Sequence, residues 1–275
     1  EYTIYRDASC TDVVQVLVTD SSGEALSGEL RLGNYYIKET KAPEGYLMDS
    51  AVYPVTLTQE DAVEVYDVSS AEQVIRGSLA LVKYLDDSME ESILQDLYDS
   101  GKLEHIRFIL RHEDPQVPQV TIETDRYGYA ATERQGLVYG TWYLTEDPAT
   151  TPDGYEGIKD VPVEIREEGT EQIYVVTNKP YQAYLCIRKL DAATGTVITS
   201  DQAEFQILDG EGKAVQMPTF DGYTDTFRTN EKGEIHLTKS LKGGSYTLVE
   251  TKAPVGYECA EPLPFRISGN AVFEE

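Results

Sequence analysis

The chain has 275 residues, with 23 Lys and Arg against 49 Asp and Glu, a net charge of −26 that argues against nucleic acid or an anionic membrane as partner. Its three cysteines, Cys10, Cys186 and Cys259, show no CxxC or Cys/His spacing, so neither a disulfide framework nor a zinc site is indicated, and no cofactor is expected. Twenty Tyr with 21 Gly and 12 Pro favour strands joined by turns, while no segment reads as a signal peptide, membrane span or sorting tail, features that a piece of a longer protein would lack as well.

In chain order, EYTIYRD (1–7) alternates like a half-buried strand, TDSSGEA (19–25) is a polar hairpin turn, and GNYYIKETKAPEGY (33–46) is a strand running into a loop. After SSAEQVIRG comes a longer version of the same plan: an opening strand GSLALVKYLDD from Gly77, then RFILRHE (107–113), the turn TDRYGYA (124–130), and GTWYLTEDPATTPDGY (140–155). Following NKPYQAY the plan returns as AYLCIRKLDAATG from Ala183, EFQILDG (204–210), TNEKGEI (229–235) and GSYTLVETKAPVGY (244–257). The leading glycines, Gly33, Gly140 and Gly244, lie 107 and 104 residues apart, a domain-sized period too long for a solenoid. Three tandem domains are expected: 1–76, lacking a first strand; 77–180, complete; and 181–275, lacking a last strand. SMEESILQDLYDSG (88–101) breaks the β pattern, with Ser88 as N-cap, Glu91, an apolar stripe and Gly101 as stop, and predicts a short helix inserted in the middle domain that covers a sheet edge. Cys259 falls two residues after Tyr257, where the first copy has Met48, and is expected to be an inert buried thiol; a Cys186–Cys259 bridge is not favoured.

Six residues after each leading glycine stands an acid, Glu39, Glu146 or Glu250, on the same strand face as an aromatic and an aliphatic residue. The opening strands repeat the anomaly with lysine: Leu79, Leu81 and Lys83 share one face, as do Leu185, Ile187 and Lys189. In EQIYVVTNKP, Asn178 shares its face with Tyr174 and Val176. A dry interior disfavours both charges, leaving a neutral amine beside a carboxylic acid able to polarise an amide carbonyl. Lys83 could then attack the Asn178 side chain and expel ammonia, with Glu146 as acid and base. Lys189 and Glu250 in the third domain, and Glu39 with Asp67 in the first, form equivalent but incomplete sites. Asn270, in a Ser-Gly-Asn turn, is a poor partner for Lys189.

Tyr246, Leu248, Glu250, Thr251, Ala253, Pro254, Gly256 and Tyr257 spell YxLxETxAPxGY, and Tyr35, Ile37, Glu39, Thr40, Ala42, Pro43, Gly45 and Tyr46 nearly repeat it. In these motifs the chain resembles the SpaA-type, or Cna B-type, domains of Gram-positive surface pilins and adhesins. The second copy departs from the form at Trp142 and in its longer loop. The resemblance implies an all-β fold of tandem Greek-key, prealbumin-like (Ig-like) β-sandwiches, each able to carry an intramolecular Lys–Asn isopeptide bond, with the beads strung as a stalk on the cell wall. The expected function is therefore that of an extracellular structural stalk module, stabilised by an autocatalytic cross-link between Lys83 and Asn178. Its partners would be neighbouring domains or subunits of the same pilus. An adhesive tip recognising a host glycan or matrix protein is the alternative. A conventional enzyme is not expected: His105, His112 and His236 lie beside no Ser or Cys motif, and His105 and His112 read as solvated residues flanking a strand.

Overall fold

The structure, a computed structural model, describes residues 1–59, 68–86, 98–200 and 202–269. Its regular secondary structure among the described residues is almost wholly strand, and its buried residues fall into three main apolar clusters, one for each repeat of the sequence plan. In the first repeat a four-stranded sheet runs in the order Val13–Leu17, Tyr2–Tyr5, Gly33–Glu39, Val52–Leu57, and buries Ile4, Tyr35 and Val55. The third repeat has the corresponding sheet, Phe227–Arg228, Glu204–Leu208, Gly244–Lys252, Leu263–Ile267, over a core that includes Phe205, Ile207 and Ile235.

The middle repeat shows the sandwich most fully. One sheet is ordered Val161–Ile165, Gly140–Glu146, Arg107–His112, Val120–Glu123. Facing it, Arg76–Leu85 is flanked by Tyr129–Ala131 and by Glu171–Pro180. Leu79, Leu81, Phe108, Leu110, Trp142, Leu144, Val163 and Ile165 fill the space between. The period of two explains why: inward side chains of each strand meet the other sheet, and Ile173 and Val175, on the outer face of Glu171–Pro180, stay exposed. Arg76–Leu85 and Glu171–Pro180 run parallel, with Val176 opposite Lys83 and Asn178 opposite Leu85. A parallel neighbour must be reached by a long crossover, here the intervening residues of the repeat, so the strands that open and close it are brought side by side.

Several expectations are corrected. Cys259 is exposed, because residues 258–262 form no strand and lie open to solvent, and Met48 at the matching place in the first repeat is exposed as well. The slot was apolar in sequence without being interior. The opening strand from Ala183 is broken into two short pieces, Gln182–Ala183 pairing with Leu241–Lys242 and Cys186–Arg188 pairing with Glu234–His236. His112 is not simply solvated: its ring stands edge-on to Trp142 at 5.0 Å, and its Nε2 lies 3.0 Å from the Tyr139 carbonyl. Asp67, Asn270 and most of the expected helix at 88–101 lie outside the described residues; within them, Tyr98–Ser100 are helical and Gly101 turns left-handed at φ 66°, in keeping with its role as stop.

Candidate functional site

Lys83, Glu146 and Asn178 come from three strands and converge inside the middle sandwich, at 0, 1 and 0% exposure. Each owes its inward aim to strand alternation: Lys83 follows Leu79 and Leu81, Glu146 follows Trp142 and Leu144, Asn178 follows Tyr174 and Val176. The Lys83 Nζ lies 3.5 Å from Glu146 Oε2 and donates to the Tyr84 carbonyl at 3.3 Å. Asn178 Nδ2 donates to Glu146 Oε1 at 2.8 Å. Gly157 packs against the Glu146 side chain, and the Glu146 N–H donates to the Ile158 carbonyl at 3.0 Å, so the loop after the strand closes over the acid.

Burial pulls the Lys83 pKa down to about 8 from its ordinary 10.5, against the opposing pull of the Glu146 charge. Two further atoms are conspicuous: Glu146 Oε2 and Asn178 Oδ1 are buried and, among the described residues, accept no hydrogen bond. Buried acceptors of this kind are uncommon and costly. They would be used together in the other protonation state of the site. Asn amide oxygen and nitrogen are nearly isosteric, so half a turn of the amide brings Oδ1 to the acid, where a protonated Glu146 can donate to it.

The other two acids differ in their partners. Lys189 Nζ donates to Glu250 Oε2 at 2.6 Å, and Ala260 N–H donates to the same oxygen at 2.6 Å, both side chains being nearly buried. No asparagine approaches this pair among the described residues. Here a simple ion pair holds the acid, and its loss should be costly. Replacing Lys189 by Ala is expected to destabilise the third repeat by about 3–5 kcal/mol, the usual penalty for stranding a buried charge, read as a lower melting transition for that repeat alone. Glu39, also buried, takes the Asp49 N–H on Oε2, while burial and then the Glu39 charge push the nearby Glu72 carboxyl upward. Neither Asp49 nor Glu72 was legible in the sequence, since both lie in segments without strand alternation.

Among the described residues, one other cluster could hold a cation: ligand atoms of Cys186, Glu234 and His236 lie within 4.8 Å of one another on the Cys186–Arg188/Glu234–His236 strand pair. Arg188 already occupies the other Glu234 oxygen at 2.9 Å.

Compared with known proteins, the chain matches the family description "SpaA: Prealbumin-like fold domain" over residues 1–71, 95–180 and 184–274. Among solved structures, the Bacillus anthracis TIE protein is similar at 26% identity and a TM-score of 0.51, over 98% of this chain and 45% of that one. This chain thus spans under half the length of that protein. A streptococcal ancillary pilin matches at 18% identity and a TM-score of 0.30, over 88% of this chain and 75% of its own. The shaft pilin SpaA from Lactobacillus rhamnosus GG matches at 18% identity and a TM-score of 0.26, over 71% and 95%. No curated protein is significantly similar in sequence. No helix among the described residues is long and apolar enough to cross a membrane.

Proposed function

Because the chain belongs to the SpaA prealbumin-like fold domain family, we propose that it is a structural shaft module of a Gram-positive cell-surface pilin or adhesin, stiffened by a covalent bond between Lys83 and Asn178. The observation that carries this reading is the dry triad: an amine whose pKa is lowered by burial, a buried carboxyl, and a carboxamide hydrogen-bonded to it. In the reaction, the neutral Lys83 Nζ attacks Asn178 Cγ while protonated Glu146 donates to Oδ1. Glu146 then takes a proton from the former amine and delivers it to Nδ2, which leaves as ammonia while the Oδ1 carbonyl re-forms and its proton returns to Glu146. The product is an amide joining Nζ to Cγ; the acid is regenerated and nothing is oxidised or reduced.

Such a bond joins two adjacent parallel strands, so tension applied to both ends of the repeat meets covalent chemistry before it can peel the strands apart. It needs no cysteine and is indifferent to reductants. A single self-directed reaction of this kind leaves no open site for turnover, which fits a structural role better than an enzymatic one.

The test is the mass of the intact chain. It should fall short of the sequence mass by one ammonia, and a digest should contain a branched fragment linking Lys83 to Asn178. A second missing ammonia is not expected, since neither Lys189–Glu250 nor Glu39 has an amide beside it among the described residues. A mass equal to that of the sequence would overturn the cross-link and leave only an ion-paired sandwich.

A further inference from the structure

The third repeat carries a cluster of reactive side chains that the buried chemistry does not use. Cys186–Arg188 and Glu234–His236 pair antiparallel, with Cys186 opposite His236 and Arg188 opposite Glu234. Leu237 N–H donates to the Leu185 carbonyl at 3.2 Å and Lys189 N–H to the Gly233 carbonyl at 3.1 Å, so these flanking positions are hydrogen-bonded pairs of the ladder. Alternation then makes Cys186/His236 and Arg188/Glu234 the non-hydrogen-bonded pairs, whose side chains stand closest. Ile187 and Ile235 point the other way and are buried, which anchors the strand pair to the core and turns the four polar side chains out on one face.

The distances suit a single ion. Cys186 Sγ lies 3.9 Å from His236 Nε2, His236 Nε2 lies 3.1 Å from Glu234 Oε2, and all three ligand atoms fall within 4.8 Å of one another. Bonds of about 2.0–2.3 Å arranged tetrahedrally hold their donors roughly 3.3–3.6 Å apart, so side-chain rotation alone would seat a zinc ion among them. Arg188 Nε donates to Glu234 Oε1 at 2.9 Å, which leaves Oε2 toward the imidazole and orients the carboxylate, as outer hydrogen bonds do for metal ligands. A thiolate and a carboxylate together balance a doubly charged ion, and the imidazole adds a neutral donor. Sulfur and nitrogen donors select an ion of the zinc class over calcium or magnesium. Cys186 and Glu234 are half-buried and His236 is exposed, which gives the ion an entry path and water a place as fourth ligand.

The middle repeat shows that the fold does not require these residues. Counting back three from the buried lysine gives Cys186 here and Ala80 there; counting on one and three from the turn glycine, Gly233 or Gly128, gives Glu234 and His236 here and Tyr129 and Ala131 there. Ala80 and Ala131 are paired just as Cys186 and His236 are. The same backbone positions carry no metal ligand in one repeat and three in the other. Cys186 and His236 are 50 positions apart, so no ligand spacing is visible along the chain and only the strand pairing assembles the set.

We propose that Cys186, Glu234 and His236 form a zinc-binding site that clips the opening strand of the third repeat to its neighbour. On binding, the Cys186 thiol gives its proton to solvent, the imidazole presents its Nε2 lone pair with the ring proton on Nδ1, and Glu234 Oε2 exchanges its contact with the ring for the metal; nothing is oxidised or reduced. Because the two strands are far apart in the chain, coordination closes a loop as a cross-link does. It adds a tie between strands in a repeat whose Lys189–Glu250 pair has no amide beside it among the described residues. The site stands apart from the shaft-module reading and from the Lys83–Asn178 bond. With three protein ligands it is weaker than closed four-ligand sites, and a micromolar dissociation constant is expected.

Titration of the intact, reduced and chelator-treated protein with zinc, followed by calorimetry and native mass spectrometry, tests this. One zinc per chain should bind in the presence of excess magnesium and calcium, which occupy the exposed carboxylates. Cobalt in its place should show a thiolate-to-metal charge-transfer band. Cys186→Ser and His236→Ala should each weaken binding about tenfold or more, whereas Cys10→Ser and Cys259→Ser, at the other two thiols, should leave it unchanged. At free zinc about a hundred times the dissociation constant, the melting transition of the third repeat should rise by roughly 10–20 °C in the wild type and not in Cys186→Ser. No saturable binding, a cobalt complex without the thiolate band, or binding undiminished in Cys186→Ser would overturn the site and leave Glu234 as a surface ion-pair partner of Arg188 and His236.

Discussion

Replacing Glu146 by Ala should give a protein that folds, carries its full sequence mass, and melts in its middle repeat tens of degrees below the wild type. Lys83 and Asn178 both remain, but the group that polarises the amide and moves the protons is gone, so the bond does not form. Two losses add. The first is the cross-link, which closes a loop of roughly a hundred residues and on the chain-entropy model is worth ~4.7 kcal/mol. The second is the stranded Lys83, fully buried with its carboxylate removed, at about 3–5 kcal/mol. Because 1 kcal/mol moves the transition of a domain this size by about 4–8 °C, the sum is large. Lys83→Met separates the two terms. It also abolishes the bond, but it fills the space with an apolar chain of similar length and leaves no buried cation, while the Glu146 carboxyl that loses its amine keeps its hydrogen bond from Asn178, so its transition should lie between those of Glu146→Ala and wild type. Calorimetry with parallel mass measurement checks the order; a Glu146→Ala protein that still lacks one ammonia would remove Glu146 from the chemistry.

The second large effect is on pH. The reacting pair must hold one proton in total, shared as a neutral amine and a carboxylic acid or as an ammonium and a carboxylate. Raising the pH through about 8, where burial places Lys83, removes that proton and with it the acid that Glu146 must provide. Bond formation in protein refolded from acidic denaturant should therefore be level on approaching pH 8 and fall about tenfold per unit above it, the reverse of what a free lysine nucleophile shows. Stability of the unreacted site moves the other way. In Asn178→Ala, which leaves the pair nothing to attack, the folded lysine titrates near 8 and the unfolded one near 10.5. Between these values the unfolded chain binds the extra proton, so stability should rise with pH across that window and be level below it. Chemical denaturation of Asn178→Ala at several pH values reads this; a slope of the opposite sign would mean that Lys83 keeps its charge when buried.

Much of this molecule was legible from period and repetition. Strand alternation alone aimed Lys83, Glu146 and Asn178 inward, because a side chain on a strand has only two directions and the apolar neighbours two positions away declare which is the core. Repetition supplied the rest: three acids at one offset from three glycines are hard to assign to chance. Other features had no local signal. That Arg76–Leu85 and Glu171–Pro180 lie side by side and parallel, bringing a lysine and an asparagine 95 positions apart to one carboxyl, depends on the path of the whole sandwich. The exposure of Cys259, the packing of His112 on Trp142, and the meeting of Glu39 with Asp49 and Glu72 depend on segments whose conformation follows from their neighbours in space and not from any periodicity of their own. So do the links between repeats: each copy of the motif spells a Gly-Tyr turn in the sequence, whereas only the tertiary structure decided that the Gly45 and Gly154 carbonyls accept from Ile75 and Tyr181 N–H, because a backbone acceptor acquires a partner only when folding carries a donor to it.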